Sequence, residues 1–168
     1  METSAMNIRA AAASDAAAIA AIYNHYVLAT AITFEEQAVS DADMAARIGD
    51  VAAAGLPWLV AEREGRVIGY AYATKWRARP AYRYSVEVSV YTDAQAGVRG
   101  AGSALYEALF AELRARSVHV AIGGIALPNE KSVALHEKFG MRKVAHFSEV
   151  GYKFGRWLDV GYWQAVLS

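Results

Sequence analysis

Residues 85–103 read SVEVSVYTDAQAGVRGAGS, and this segment contains a strand, a glycine-bearing loop and the start of a helix. Valine recurs at every second position up to Val90, which is the period of a half-buried β-strand. The glycines of 97–102 allow a tight turn and let a ligand approach the backbone. Leucines then follow at helical spacing. Since the first N–H groups of a helix are unpaired, this loop is suited to holding a phosphate.

The loop differs from two common nucleotide-binding motifs. It lacks the Lys-Ser or Lys-Thr ending of a P-loop, and it reads G-x-x-G-x-G, which is not the dinucleotide order G-x-G-x-x-G. By itself it is equally compatible with a tight turn that simply begins a helix.

The flanking sequence predicts the remaining elements. Strands are expected at 7–11, 58–62, 67–74, 85–91 and 118–127, with two more inside 141–167. Helices are expected after Ser14-Asp15, over 40–55, after the loop, and over 132–139. The order β-α-α-β-β-β-α-β-α-β-β predicts an α/β (α+β) fold in which helices cover a mixed sheet.

Composition narrows the class of protein. The 168 residues suit one domain, so we expect a single domain over 7–168 after a disordered extension at 1–6. Seventeen basic residues balance seventeen acidic ones, which argues against nucleic acid or an anionic membrane as partner. There is no cysteine, which fits a cytoplasmic protein, and no His/Asp/Glu cluster predicts a metal site.

The loop in its context resembles the coenzyme A-binding segment of GNAT acetyltransferases, a Q/R-x-x-G-x-G/A pattern after a strand. Within that superfamily the chain is most similar to the phosphinothricin and methionine sulfoximine acetyltransferase group. The segments that carry this resemblance are IYNHY at 22–26, PWLVA at 57–61, EVSVY at 87–91, LPN at 127–129, LHE at 135–137 and GYKFGRWLDVGYW at 151–163. Gly97 departs from the family pattern, which has Gln or Arg there, so Arg99 is the cation expected to assist at the pyrophosphate.

The resemblance implies a GNAT fold, with a mixed, mostly antiparallel central sheet and helices on both faces. It also implies acetyl-CoA as cosubstrate and no metal. The residues expected to bind the coenzyme are Val90, Tyr91, Thr92, Val98, Arg99, Gly100, Ala101, Gly102, Ser103 and Asn129. Asn129 has a second interpretation as a helix N-cap.

Two residues are candidates for acid–base catalysis. Glu87 lies in a valine-rich strand, where a carboxylate is unfavourable unless it has a partner or faces solvent. The resemblance implies that it faces the substrate amine as general base. His136 is the candidate acid for the departing thiolate, since imidazolium donates protons near neutral pH. A polar residue on a half-exposed helix is the alternative interpretation of His136.

A basic stretch precedes the Glu87 strand. Its arginines alternate with aromatic residues, a pattern that also fits a solvated loop or, less well with zero net charge, nucleic acid. Arginine binds carboxylates in a bidentate manner, and the resemblance implies that this stretch helps to hold the acidic end of a substrate. The residues expected to bind substrate are Phe34, Arg77, Arg79, Tyr82, Arg83, Glu87, Val88, Ser89 and Lys153.

The predicted function is acetyl transfer from acetyl-CoA to the primary amine of a small amino-acid-like molecule, of the phosphinothricin, methionine sulfoximine or methionine sulfone type. The resemblance also implies a homodimer in which Lys153 and the turn at 154–156 reach a partner's cleft. Two alternatives remain: an N-acetyltransferase of proteins or peptides, and a non-catalytic acyl-CoA sensor.

Overall fold

A computed structural model, which describes residues 5–167, contains seven strands and four α-helices in that range. The strands are β1 (Asn7–Ala10), β2 (Trp58–Arg63), β3 (Arg66–Lys75), β4 (Ser85–Thr92), β5 (Val120–Leu127), β6 (Arg142–Lys153) and β7 (Arg156–Val166). The helices are α1 (Ala16–Ala29), α2 (Asp41–Ala53), α3 (Ala101–Ala115) and α4 (Glu130–Lys138).

The strands form one mixed sheet in the order β1-β2-β3-β4-β5-β7-β6. Neighbouring strands run antiparallel, except that β4 and β5 are parallel. The predicted order of elements and the mixed, mostly antiparallel α/β architecture are confirmed.

Each face of the sheet has its own apolar core. One core packs α3 against the sheet through residues such as Leu105, Leu109 and Val86. The other packs α1 and α2 against the opposite face through Ile19, Met44 and a group of tyrosines. Helices therefore cover both faces, because consecutive strand residues project to opposite sides.

The ends of the elements differ slightly from the sequence prediction. Helix α4 begins at Glu130, two residues earlier than expected, because the side chain of Asn129 accepts a hydrogen bond from the Ser132 N–H and caps the helix. In the expected N-terminal extension, Met6 packs against the core. Residues 1–4 of that extension lie outside the described part of the chain.

The pairing of β4 with β5 is incomplete. Within the described structure their register runs from Ser85 opposite Val120 to Glu87 opposite Ile122. Beyond these pairs the strands separate, although β4 continues to Thr92 and β5 to Leu127. The separation exposes backbone N–H and C=O groups along the facing edges of the two strands. Backbone groups of this kind require hydrogen-bond partners.

Candidate active site

A cleft of about 560 Å³ lies where β4 and β5 separate. It is bounded by the end of β4, the glycine loop and the first residues of α4. Every residue predicted to bind the coenzyme lines it: Val90, Tyr91, Thr92, Val98, Arg99, Gly100, Ala101, Gly102, Ser103 and Asn129. Residues that are distant in sequence therefore form one continuous binding surface.

The glycine loop directs the N-terminus of α3 at this cleft. Gly100 occupies the N-cap position with φ of +85°, a left-handed conformation that glycine adopts without strain. The N–H groups at the start of α3 carry a partial positive charge and can hold phosphate oxygens.

Lysines of α4 supply cationic groups that the sequence analysis missed. Lys131 and Lys138 line the cleft, and the ammonium group of Lys138 donates to Ser103 Oγ at 2.9 Å. This contact joins α4 to the first turn of α3. Arg99 is therefore not the sole cation that lines the cleft, because α4 contributes two lysines to it. The spacing of Lys131, Leu135 and Lys138 on one helix face is the signal that could have revealed this.

Glu87 lies at the point where the two strands separate. A Cβ atom on Gly124 would lie 3.4 Å from Glu87 Oε1 and 3.0 Å from Tyr162 Cε1, so the carboxylate and the phenol ring both contact the glycine backbone. Burial raises the pKa of Glu87, and the guanidinium of Arg77 opposes this increase. The carboxylate is thus half-buried beside the cleft, and its affinity for a proton is increased.

Tyr162 is a further residue that the sequence analysis missed. Its ring makes edge contacts with Trp76 at 5.7 Å and with Phe147 at 5.8 Å between centroids. Burial and the charge of Glu87 raise the pKa of Tyr162, so the hydroxyl stays protonated at neutral pH. These aromatic rings form a wall next to Glu87.

The structure separates the roles of the predicted arginines. The guanidinium of Arg77 stacks on the Trp76 ring at 4.3 Å, and its charge acts on both Glu87 and Tyr162. Arg83 instead donates to the Pro80 carbonyl at 2.9 Å and lies over the Tyr84 ring. Arg79 and Tyr82 belong to the exposed turn around Pro80. Arg77 is therefore the arginine associated with Glu87.

Phe34 and Lys153 meet on the same side of the sheet. The Phe34 ring lies against Gly151, where a Cβ atom would approach it to 2.5 Å, so a side chain there would displace the ring. Lys153 is buried in its own chain, and its ammonium group donates to the Val27 and Thr33 carbonyls at 2.8 Å each. The side chain holds the segment before Phe34 in place and does not project toward a partner's cleft.

His136 is 5% exposed and both of its ring nitrogens are paired. Nδ1 donates to the Ser132 carbonyl at 2.7 Å, so in the neutral ring Nε2 accepts from the Tyr106 hydroxyl at 2.9 Å. Burial lowers the pKa of His136. The predicted role as proton donor therefore finds no support in the geometry, because the neutral ring has no free proton.

A smaller cavity of about 50 Å³ continues from the cleft into the gap between β4 and β5. Val88 and Ser89, predicted to bind substrate, line this cavity instead of the outer site. It shares Val90, Tyr91 and Asn129 with the cleft, so the two spaces adjoin each other.

In residues 5–167 no cluster of three or more His, Asp or Glu side chains could hold a metal ion. None of the helices in that range is long and apolar enough to cross a membrane.

Comparison with known proteins agrees with this geometry. The family model "Acetyltransferase (GNAT) domain" matches residues 8–161. The L-methionine sulfoximine/L-methionine sulfone acetyltransferase of Salmonella typhimurium is 40% identical, over 96% of this chain and 95% of the relative.

Two solved structures have nearly the same fold. A GNAT superfamily phosphinothricin acetyltransferase from Sinorhizobium meliloti, in complex with acetyl-CoA, superposes with a TM-score of 0.93 at 38% identity, covering 97% of this chain and 89% of that one. A ribosomal-protein-alanine N-acetyltransferase from Brucella melitensis gives 0.92 at 39% identity, covering 95% and 99%.

The split sheet, the loop before α3 and the cationic cleft define a coenzyme A-binding acyltransferase. The chain belongs to the GNAT acetyltransferase family. It is an acetyl-CoA-dependent N-acetyltransferase.

Proposed function

We propose that the enzyme acetylates the α-amine of a small amino-acid-like substrate, such as phosphinothricin, methionine sulfoximine or methionine sulfone. The observation that carries this proposal is the position of the Glu87 carboxylate beside Gly124, where β4 and β5 separate, with Arg77 close enough to act on its pKa. A base with a cation nearby suits a molecule that carries an ammonium and a carboxylate on one carbon.

Glu87 acts as the general base. An ammonium group must lose a proton before it can attack, and the raised pKa of Glu87 brings its proton affinity closer to that needed near neutral pH. Bound acetyl-CoA supplies the activated acetyl group as a thioester. The free amine attacks the thioester carbon and forms the new N–C bond, the C–S bond breaks, the nitrogen releases its second proton to solvent, and the thiolate takes up a proton from solvent.

Arg77 binds the acid group of the substrate. Its stacking on Trp76 limits its rotamers, so less entropy is lost when the guanidinium engages a carboxylate. Tyr162 and Phe34 enclose the remainder of the substrate. The other predicted contacts, from Arg79, Tyr82 and Arg83, would be made from the mouth of the site.

The homodimer is also part of the proposal. Large apolar side chains are exposed along β6 and β7, including Val150 at 61% and Trp157 at 63%. Exposed apolar patches of this kind mark protein interfaces. Phe147 belongs to this surface and contacts Tyr162, so the interface would adjoin the substrate site. We also propose a cytoplasmic location, which the lack of cysteine fits.

Acetylation of a protein N-terminus is the second candidate. The relative from Brucella melitensis, a ribosomal-protein-alanine N-acetyltransferase, favours it. A peptide N-terminus has an α-amine but no free α-carboxylate, so it would not use Arg77. The contribution of Arg77 therefore separates the two candidates.

A thiol-release assay with acetyl-CoA and a panel of amines tests the proposal. The panel contains methionine sulfoximine, phosphinothricin, their carboxamides and an alanine-initiated peptide. We expect Arg77→Ala to lower kcat/KM for the acidic amines about 10- to 150-fold, the cost of a lost charge-assisted hydrogen bond. The carboxamides should be affected little, and Arg114→Ala at the end of α3 serves as control. Preferred turnover of the peptide, unaffected by Arg77→Ala, would favour the second candidate, and no turnover of any amine would favour a non-catalytic sensor.

A further inference from the structure

The small cavity between β4 and β5 is placed to receive the reactive end of the coenzyme. It continues from the cleft through Val90 and Asn129, and its lining includes Gly124, which Glu87 contacts. The cavity therefore lies between the cleft and the segment of β5 next to the Glu87 carboxylate.

The inner wall of the cavity is formed by His136 and Tyr106, both of which line it. Tyr106 is fully buried and His136 nearly so, and their rings meet edge to face at 5.2 Å. The His136 ring also lies on Gly123, where a Cβ atom would come within 2.7 Å of Cδ2. Since both nitrogens of the ring are bonded, the imidazole is held in one rotamer.

We propose that the pair His136 and Tyr106 forms the end of an acyl pocket that accepts acetyl and excludes four-carbon and longer acyl groups. The inference rests on the proposed acetyl transfer. It gives His136 a positioning role, because a buried neutral ring bonded at both nitrogens makes a rigid wall.

The size of the cavity supports this limit. One water molecule takes up about 30 Å³ in the liquid, so a cavity of about 50 Å³ accommodates roughly two groups of that size. The carbonyl oxygen and the methyl of an acetyl group match this size, whereas a butyryl group adds two methylenes. Densely packed walls do not yield to additional methylenes without cost.

Acyl-CoA selectivity is the quantity to measure. The kcat/KM values for acetyl-, propionyl- and butyryl-CoA are compared at saturating amine in one enzyme preparation, so that the ratio does not depend on the folded fraction. One extra methylene in a fitted pocket is worth about 10- to 200-fold in selectivity, and the polar lining from Ser89, Asn129 and Ser132 opposes the burial of methylenes, so we expect butyryl-CoA to be at least about 100-fold poorer than acetyl-CoA.

Two substitutions should change the tolerance of the enzyme for longer acyl groups in opposite directions. His136→Ala removes the wall and should raise the butyryl-to-acetyl ratio at least about tenfold. His136→Ala leaves the buried Tyr106 hydroxyl without its hydrogen-bond partner, which can impair folding. In that case the double variant His136→Ala/Tyr106→Phe, which also removes the hydroxyl, takes the place of the single variant. Ala126→Leu fills the cavity from β5 and should lower the propionyl-to-acetyl ratio. Leu113→Ala, a buried residue elsewhere on α3, is the control for a general loss of packing.

A wild-type enzyme that uses butyryl-CoA about as well as acetyl-CoA would overturn the inference. So would an unchanged ratio in His136→Ala and in the double variant. If no amine is acetylated, the proposed function fails, and the dissociation constants of the three acyl-CoAs, measured by calorimetry without amine, then decide the inference. If each acyl-CoA has the same dissociation constant in wild type and in His136→Ala, the inference is rejected. If His136→Ala gains affinity for butyryl-CoA but not for acetyl-CoA, the inference is supported.

Discussion

Glu87 is a carboxylate whose burial both prepares it for catalysis and destabilises the protein. Its raised pKa means that the folded state holds the proton more tightly than the unfolded chain does. The associated stability is present below the unfolded pKa and is lost as the pH rises through the folded pKa. At neutral pH Glu87 is therefore expected to reduce the free energy of unfolding.

Glu87→Gln should separate these two effects. The amide keeps the shape but accepts no proton, so kcat near neutral pH should fall roughly 10²–10⁴-fold. The variant should melt at a higher temperature than wild type at neutral pH, and this difference should shrink in acid, where the wild-type carboxyl is protonated. The measurements are the pH–rate profile and thermal melting over the same pH range.

The control for Glu87→Gln is Glu107→Gln on the exposed side of α3. It should change neither turnover nor the pH dependence of melting. Near-wild-type turnover in Glu87→Gln, with the acidic limb of the profile retained, would exclude Glu87 as the base.

At the level of elements, the cleft depends on how closely α3 and α4 approach each other. Gly102 faces α4, and a Cβ atom there would lie 3.2 Å from Leu135 Cδ2. Gly100 has open space around it but a positive φ, so a side chain at Gly100 would strain the backbone itself. Gly102 is therefore the better position at which to block the coenzyme without disturbing the loop.

We expect Gly102→Val to abolish most of the thermal stabilisation that acetyl-CoA gives the wild-type protein. Ligand at a hundredfold excess over its Kd adds about 2.7 kcal/mol to the free energy of unfolding, and a valine between α3 and α4 removes space that the ligand requires. Lys138→Ala should weaken binding about tenfold or more through loss of a charge-assisted contact. Differential scanning calorimetry with and without acetyl-CoA measures both effects.

Arg142→Ala, on exposed β6, is the matched charge control for Lys138→Ala. A wild-type thermal shift in both Gly102→Val and Lys138→Ala would mean that the coenzyme binds outside this cleft.

For the whole molecule, the long hairpin of β6 and β7 carries the exposed apolar side chains that we propose as the dimer interface. Its register shifts between Phe147 and Gly151, and Glu149 has a positive φ, so the strand bulges outward there. Val150 lies in this bulge, and the rings of Tyr152 and Trp157 pack together at 4.8 Å on the exposed surface.

Trp157→Asp and Val150→Asp should therefore convert a dimer into monomers, because each places a charge in an apolar interface. Analytical ultracentrifugation measures the mass. Leu28→Asp, which alters an exposed leucine on α1, should leave the dimer intact. A wild-type protein that sediments as a monomer at micromolar concentration would rule out the hairpin as a dimer surface.

The sequence by itself determined the features that depend on local pattern. Residue periodicity places each strand and helix, and the glycine loop after β4 marks a segment, including Arg99 and Ser103, that lines the cleft. These signals are readable because strand period, helix period and the backbone freedom of glycine act over a few neighbouring residues.

Only the tertiary structure decided which distant side chains meet. Lys138 reaches Ser103 from another helix, Tyr162 covers Gly124 from the neighbouring strand, and Lys153 is bound by carbonyls more than a hundred residues away. His136 looks like a free acid in the sequence, but Tyr106 and the Ser132 carbonyl occupy both of its nitrogens. Whether a polar residue is a catalyst or part of the packing depends on burial and hydrogen-bond partners, and both are set by long-range packing that leaves no periodic trace in the chain.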